Sequence, residues 1–232
     1  MSGEMNKTLP EGWRWVKLGE VCEFLDSKRI PVNNIERQKR IYGKSQSELY
    51  PYYGANGIVG YIDDYIFDEP LILLAEDGGF FGSHERPIAY KIDGKSWVNN
   101  HAHVLRPIID TTDIDFLLYS IIIRPDIIDL VAGNTRLKLN QEVASEISIP
   151  LPPLPEQKRI AAILNEQMDA VEKARAAAEA QLEAAKALPA AYLREVFPGP
   201  GEELPEGWRW VKLGEVLIET RNGIYKPDEF YG

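Results

Sequence analysis

Thirteen residues near the start of the chain, LPEGWRWVKLGEV at positions 9–21, recur letter for letter at positions 204–216. A repeat that long and that widely separated is the mark of a tandem architecture, with one copy opening each unit. The chain therefore reads as one full unit followed by the opening of a second. As a half-molecule, it is expected first of all to associate symmetrically with itself.

With 232 residues and 44% of them hydrophobic, there is room for one or two domains with cores of their own. The N-terminus has no apolar run of the signal-peptide kind, and stretches 71–75 and 117–123 are far too short to span a membrane, so a cytoplasmic protein is expected. The single cysteine, Cys22, rules out an internal disulfide and a cysteine-rich zinc site. It lies in the apolar series Leu18, Val21, Cys22, Leu25, which predicts a buried structural thiol.

The net charge of −10 argues, taken alone, against a nucleic-acid partner. Its distribution says more. Lys28, Arg29, Arg37, Lys39, Arg40 and Lys44 crowd one stretch that holds a single acid, Glu36. That stretch reads either as a solvated basic loop or as a loop that contacts phosphates, with Tyr42, Tyr50, Tyr52 and Tyr53 close behind it to reach bases or sugars.

Three regions follow from the pattern. Residues 1–150 mix short β-like runs (57–62, 71–75, 96–98) with helices at 18–25 and 113–123, the second capped by Thr112 or Asp113, and read as one α+β domain. Residues 151–197 hold a long spacer helix and most of a proline-rich connector (149–155), which continues neither a helix nor a central strand. Beyond it, 156–188 predicts a projecting helix of about 33 residues, roughly 50 Å long, which Pro189 should kink or end, leaving 190–197 a last short turn. Its apolar seam, Leu164, Met168, Val171, Arg175, Ala178, Leu182 and Ala185, has coiled-coil spacing with one polar interruption. Residues 198–232 begin a second repeat.

Catalytic signatures are sparse. His101 and His103 would share a face if their segment is a strand, but no third metal ligand stands at a recognisable spacing. The glycine-rich run 76–82 lacks the lysine of a P-loop and the GxGxxG spacing of a dinucleotide site. No nucleophile elbow is present. A metal-dependent nuclease using His101, His103 and Asp77 stays open as an alternative.

In this order, LPEGWRWVKLGEV, the YYGANG turn at 52–57 followed by IVGYIDDY, the run WVNNHAHVL at 97–105 and PLPPLPEQKRI at 150–160 resemble the specificity subunits of type I restriction-modification systems. The resemblance implies an α+β target-recognition domain followed by a long coiled-coil helix, no catalysis and no cofactor of its own. The implied partners are double-stranded DNA, methyltransferase subunits that carry S-adenosylmethionine, and a restriction or motor subunit that hydrolyses ATP and cuts. Full members of the family resemble two recognition domains and two helices in one chain. Two copies of the present chain, paired through antiparallel helices, would rebuild that arrangement and read an interrupted palindrome, one half-site each. DNA contact is then expected from Lys28, Arg29, Arg37, Lys39, Arg40 and Lys44 at the backbone. Tyr52, Asn56, Arg136 and Lys138 are expected near the bases, the last two in the loop 133–140. An assembly module that docks methyltransferase subunits without reading DNA is the other alternative.

The fold offers one slot per domain for the repeated segment, anchored by Trp13 and Trp15. The N-terminal copy, continuous with the domain it completes, should win it, because a short closure costs less entropy than a long one. The alternative is a swap, in which the C-terminal copy fills a partner's slot and expels the partner's N-terminal copy.

Overall fold

The computed structural model describes residues 9–133, 137–199 and 201–217. The chain divides into two compact units, Met1–Ala170 and Val171–Gly232.

The first unit opens with β1 (Arg14–Lys17), the single-turn helix α1 (Leu18–Val21), β2 (Cys22–Phe24) and helix α2 (Asn34–Ile41). Strands β3 (Tyr50–Gly54), β4 (Gly57–Ile62), β5 (Phe67–Asp68), β6 (Leu71–Ala75), β7 (Ala89–Ile92), β8 (Lys95–Val98) and β9 (Ala102–Pro107) follow. Then come α3 (Ile114–Ile121), α4 (Gln141–Ser145), β10 (Ser148–Leu151) and the long helix α5 (Leu154–Val196), with α6 (Leu213–Val216) in the second unit.

The order β2-β9-β6-β7 makes an antiparallel four-stranded sheet, and β4-β3-β8-β5 makes a second, in which β3 and β8 run parallel. β6 explains how they stack. All five of its residues are buried, and they alternate: Ile72 and Leu74 pack with Leu18, Leu117, Leu139 and Ile149 on the helical side, while Leu71 and Leu73 pack with Phe67 and Val98 on the side of the second sheet. A strand covered on both faces must be a continuous apolar run, as LILLA is. Helices α1, α3 and α4, the first sheet and the second sheet are thus three layers around two cores, and a smaller cluster of Tyr52, Ile62 and Trp97 lies on the second sheet where α2 packs.

The predicted strands at 57–62, 71–75 and 96–98 are β4, β6 and β8, and Asp113 does cap α3, accepting from the amides of Asp115 at 3.1 Å and Phe116 at 3.0 Å. The predicted helix at 18–25 is instead one helical turn, after which the chain straightens into β2 against β9. The apolar spacing suited both shapes, and a sheet partner some eighty residues away decided between them. The basic stretch, read as a loop, carries α2.

The proline connector also departs from expectation. β10 includes Pro150, which lies opposite Trp15 in a two-stranded sheet with β1. Each strand of so narrow a sheet has one unpaired edge, and proline is tolerated there. Helix α5 starts at Leu154 with Pro155 in its first turn and runs for 43 residues, about 65 Å. Pro189 lies inside it and does not end it. A mid-helix proline loses one amide donor and crowds the carbonyl four residues back, at a cost of about 3 kcal/mol; the alanine-rich turns on either side suit helix well enough to carry the chain past it.

The root of α5 is fixed to the domain by Gln157, whose side chain is wholly buried. Its Oε1 accepts from the Asp113 amide at 2.9 Å, and its Nε2 donates to the carbonyls of Thr111 at 3.0 Å and Pro152 at 2.9 Å. Farther along, Tyr119 donates to Asn165 at 2.7 Å. Among the described residues, no helix is long and apolar enough to cross a membrane.

Candidate functional site

Helix α2 carries most of the basic stretch. Asn33 starts it, its Oδ1 accepting from the Glu36 amide at 2.9 Å, and none of its residues is buried. The cations on its inner face hold it down. Arg37 lies 4.8 Å over the Tyr52 ring and donates to the Val59 carbonyl at 3.2 Å. Its guanidinium comes so close to Gly60 that a Cβ there would lie 2.6 Å from Nη1. Arg40 lies 4.9 Å over Trp97 and pairs with Asp63 at 2.6 Å, and Lys44 reaches the other oxygen of Asp63 at 2.8 Å. The Lys44 hydrogen bond, seconded by Arg40 and opposed by partial burial, holds the Asp63 carboxyl below the usual carboxylate range. Lys28 and Lys39 are exposed and make no ion pair among the described residues.

Beside α2 lies a polar cavity of roughly 390 Å³ whose rim includes Asn33, Asn34, Arg37, Asn100 and His101. Tyr52 walls it. Its ring is buried and its hydroxyl donates to the Val32 carbonyl at 3.0 Å, so it shapes the cavity rather than reaching out of it. Asn56, at the β3–β4 turn, donates to the Gly78 carbonyl at 2.9 Å. Arg136 lies outside the described residues.

Arg29, read from the sequence as a DNA contact, belongs to a buried charge cluster, and Lys138, read likewise, reaches it from the surface. Arg29 donates to Glu76 and to the Ala102 carbonyl, both at 2.7 Å, and its side chain is 12% exposed. Lys138 reaches the other oxygen of Glu76 at 2.9 Å. Asp26 accepts from His103 Nδ1 at 2.6 Å and from the Val104 amide at 2.9 Å, while His103 Nε2 faces the Leu139 carbonyl at 2.8 Å. Both ring nitrogens face oxygens, an arrangement satisfied when both donate. Burial works to raise the pKa of Asp26, but the hydrogen bond and charge of His103, the Val104 amide and Arg29 outweigh it, and the carboxyl is held low. Glu76 is held low in the same way: the hydrogen bonds of Lys138 and Arg29 and the charge of His103 overcome its burial.

Asp26, Glu76 and His103 bring three ligand atoms within 4.8 Å of one another, close enough for a metal. The chemistry of the donors fits poorly, since Arg29 already bridges the two carboxylates and each imidazole nitrogen has an oxygen before it. The set foreseen for a nuclease is split: His101 pairs with Asp77 at 2.8 Å, whereas His103 turns to Asp26. Sequence reasoning missed Asp26, Glu76 and Gln157. The signal for Glu76 was there, since a carboxylate that ends a fully apolar strand needs a cation beside it.

Along the described part of α5 the seam is open. Met168 is 47% exposed, Val171 56% and Leu182 54%, and Arg175 pairs along its own helix with Glu172 at 3.4 Å and Glu179 at 3.7 Å.

Comparison with known proteins gives a consistent picture. The family described as type I restriction modification DNA specificity domain matches residues 10–183. A Haemophilus influenzae protein assigned as a type I restriction enzyme specificity subunit is 34% identical over 151 residues, 65% of this chain and 36% of that protein. The MjaVIII specificity subunit of Methanocaldococcus jannaschii is 25% identical over 96% of this chain and 53% of its own length. The chain thus spans about half or less of these relatives. Among solved structures, the type I restriction-modification S subunit of M. genitalium superposes with a TM-score of 0.55 at 16% identity, over 82% of this chain and 48% of that one. A chain from a type I R-M system superposes at 0.52 with 22% identity, over 78% of this chain and 45% of that one. These two likenesses concern the fold.

Proposed function

Because the chain belongs to the family of type I restriction-modification DNA specificity domains, we propose that it is a non-catalytic subunit that reads DNA for partner enzymes. The observation that carries this reading is the extent of the family match, which takes in the three-layered domain and about the first eight turns of α5. Residues 1–150 are the target-recognition domain, 151–197 the connector and spacer helix, and 198–232 the start of a second repeat. Methyltransferase subunits supply methylation, and a restriction or motor subunit joins through them.

The geometry of the basic stretch supports a DNA-facing surface at α2. Helix α2 carries most of the cation-rich stretch of an acidic protein, so backbone phosphates settle along it, with Lys28 and Lys39 as cations that make no ion pair among the described residues. Arg37, Arg40 and Lys44 keep α2 in place and add to its field. Asn34 and Asn100, on the rim of the cavity, are of a side-chain type that pairs in bidentate fashion with adenine in the major groove. Arg29, through Glu76, and Tyr52, through the Val32 carbonyl, support the face, while the exposed Asn56 and Lys138, with Arg136 in the loop 133–140, are the contacts nearer the bases.

Each chain reads one half-site, and two chains pair antiparallel through Leu164, Met168, Val171, Ala178, Leu182 and Ala185, with Arg175 near the two-fold. The implied target is an interrupted palindrome.

The test of DNA reading is the salt dependence of binding by the chain in complex with its methyltransferase. Lys28→Gln with Lys39→Gln should weaken binding to every sequence alike and reduce the salt slope by about two, one for each phosphate left without its lysine. An unchanged slope removes Lys28 and Lys39 from the interface. Light scattering tests the pairing: Leu182→Glu should convert a dimer to a monomer, and a wild-type monomer at micromolar concentration would overturn it.

A further inference from the structure

The copy at 204–216 already holds the local geometry of the copy at 9–21. In the first copy Gly12 has φ +81° and the Trp13 amide donates to the Pro10 carbonyl at 3.1 Å. In the second, Gly207 has φ +84° and the Trp208 amide donates to the Pro205 carbonyl at 3.0 Å. Lys17, at φ −81° and ψ 148°, leads into α1, and Lys212, at φ −74° and ψ 140°, leads into α6, a helical turn of the same four residues. Even the aromatic contact has a counterpart, Trp13 against Phe116 and Trp208 against Phe197.

What differs is the cover. The first copy sits in a built seat: β1 pairs with β10, Val16, Leu18 and Val21 are buried, the Leu18 amide donates to the Ile147 carbonyl at 2.9 Å, and Lys17 meets Glu146 at 2.5 Å. In the second copy, Val211, Leu213 and Val216 are 40%, 71% and 60% exposed.

We propose that residues 204–216 are a donor segment that completes the β1–β10 sheet of a second copy of this chain when that chain's own first copy is out of its seat. Identity of sequence makes the fit complete. Val211 replaces Val16, Leu213 replaces Leu18, and Gly214 supplies the missing side chain that the seat demands, since a Cβ on Gly19 would stand 3.1 Å from Ser145 Cβ. Identity ends at Val216, where Leu217 follows in place of Cys22, so β2 stays with the host and the exchange is confined to one strand and one turn. The resident copy, tethered at Cys22, competes at high effective concentration, and exchange shows itself once that copy is disabled. Donor and seat are different surfaces, so reciprocal exchange between two copies closes a pair, and one-way exchange builds open chains.

The proposal is independent of DNA reading, and so is its test. A tagged recipient chain carries Val16→Asp, Leu18→Asp, Val211→Asp and Leu213→Asp, which bury charge in its own seat and disable its donor. It is co-expressed with untagged wild-type chain or with a chain carrying Val211→Asp and Leu213→Asp alone. The wild-type donor should restore the recipient's soluble yield and cooperative thermal unfolding and should co-purify with it, and the donor-disabled chain should do neither. Pairing of helices alone brings down both donors equally and overturns the proposal, as does a recipient that the wild-type chain fails to rescue.

Discussion

Residues 9–21 and 204–216 have the same covalent structure and the same turns, yet only one copy contains a strand. The glycine turn and the single turn of helix form in both, because their hydrogen bonds close within a few residues. Residues 14–17 are β1 where β10 lies alongside, whereas 209–212 have no regular secondary structure. The comparison separates what a sequence does by itself from what it does only with a partner: a turn carries its own bonds, a strand borrows half of them.

Side-chain truncation should break the symmetry most. Leu18→Ala should cost about 2–5 kcal/mol, as for a leucine in a packed core, while Leu213→Ala should stay within about 0.5 kcal/mol, as on a surface. Denaturant unfolding of the two variants measures the contrast, and equal losses would mean that the second copy is also seated.

Acid should act next, and only on the domain that holds the first copy. Asp26 and Glu76 have lowered pKa values in the folded state, so the stability they confer is full above the usual carboxylate range and is lost as pH falls through their folded values. Asp26→Asn should flatten the acid limb of a plot of stability against pH. An unchanged limb would show that the cluster is held by something other than its charges.

A smaller contrast comes from the glycines. Gly19→Ala must push Ser145 aside and should destabilise by about 1 kcal/mol or more, whereas Gly214 faces open space and Gly214→Ala should be neutral or slightly stabilising. The smallest effect belongs to Lys17, whose pKa the hydrogen bond and charge of Glu146 raise. That contribution is present below the unfolded lysine value and fades as pH rises through the folded one. Lys17→Met should therefore lose little, and the loss should shrink further in high salt.

The same division governs how much could be read from the sequence. β4, β6 and β8 were legible because alternation or unbroken apolarity marks them, and α3 because Asp113 announces its start. Helix α2 was missed: its residues are almost all charged or polar, so no apolar stripe gave it away, although Asn33 followed three residues later by Glu36 is a capping signal. Segment 22–24 was misread because its partner, β9, is remote in sequence. The site shows the same limit. Charge density marked the stretch 28–44, but which of its cations stay open depended on Asp63 and Glu76, anions that only the fold brings near. Trp15, expected to be an anchor, is 42% exposed, and Val16 beside it is the buried residue.

Cys22 follows directly on the last residue of the seated copy. Its thiol is buried, donates to the Leu18 carbonyl at 3.1 Å and has its pKa pushed up to about 12 by burial. Almost no thiolate exists at neutral pH, so alkylating reagents should find this protein inert while the seat is filled. As the one cysteine in the chain, it is a built-in timer: the rate at which a maleimide consumes it counts how often the first thirteen-residue segment lets go.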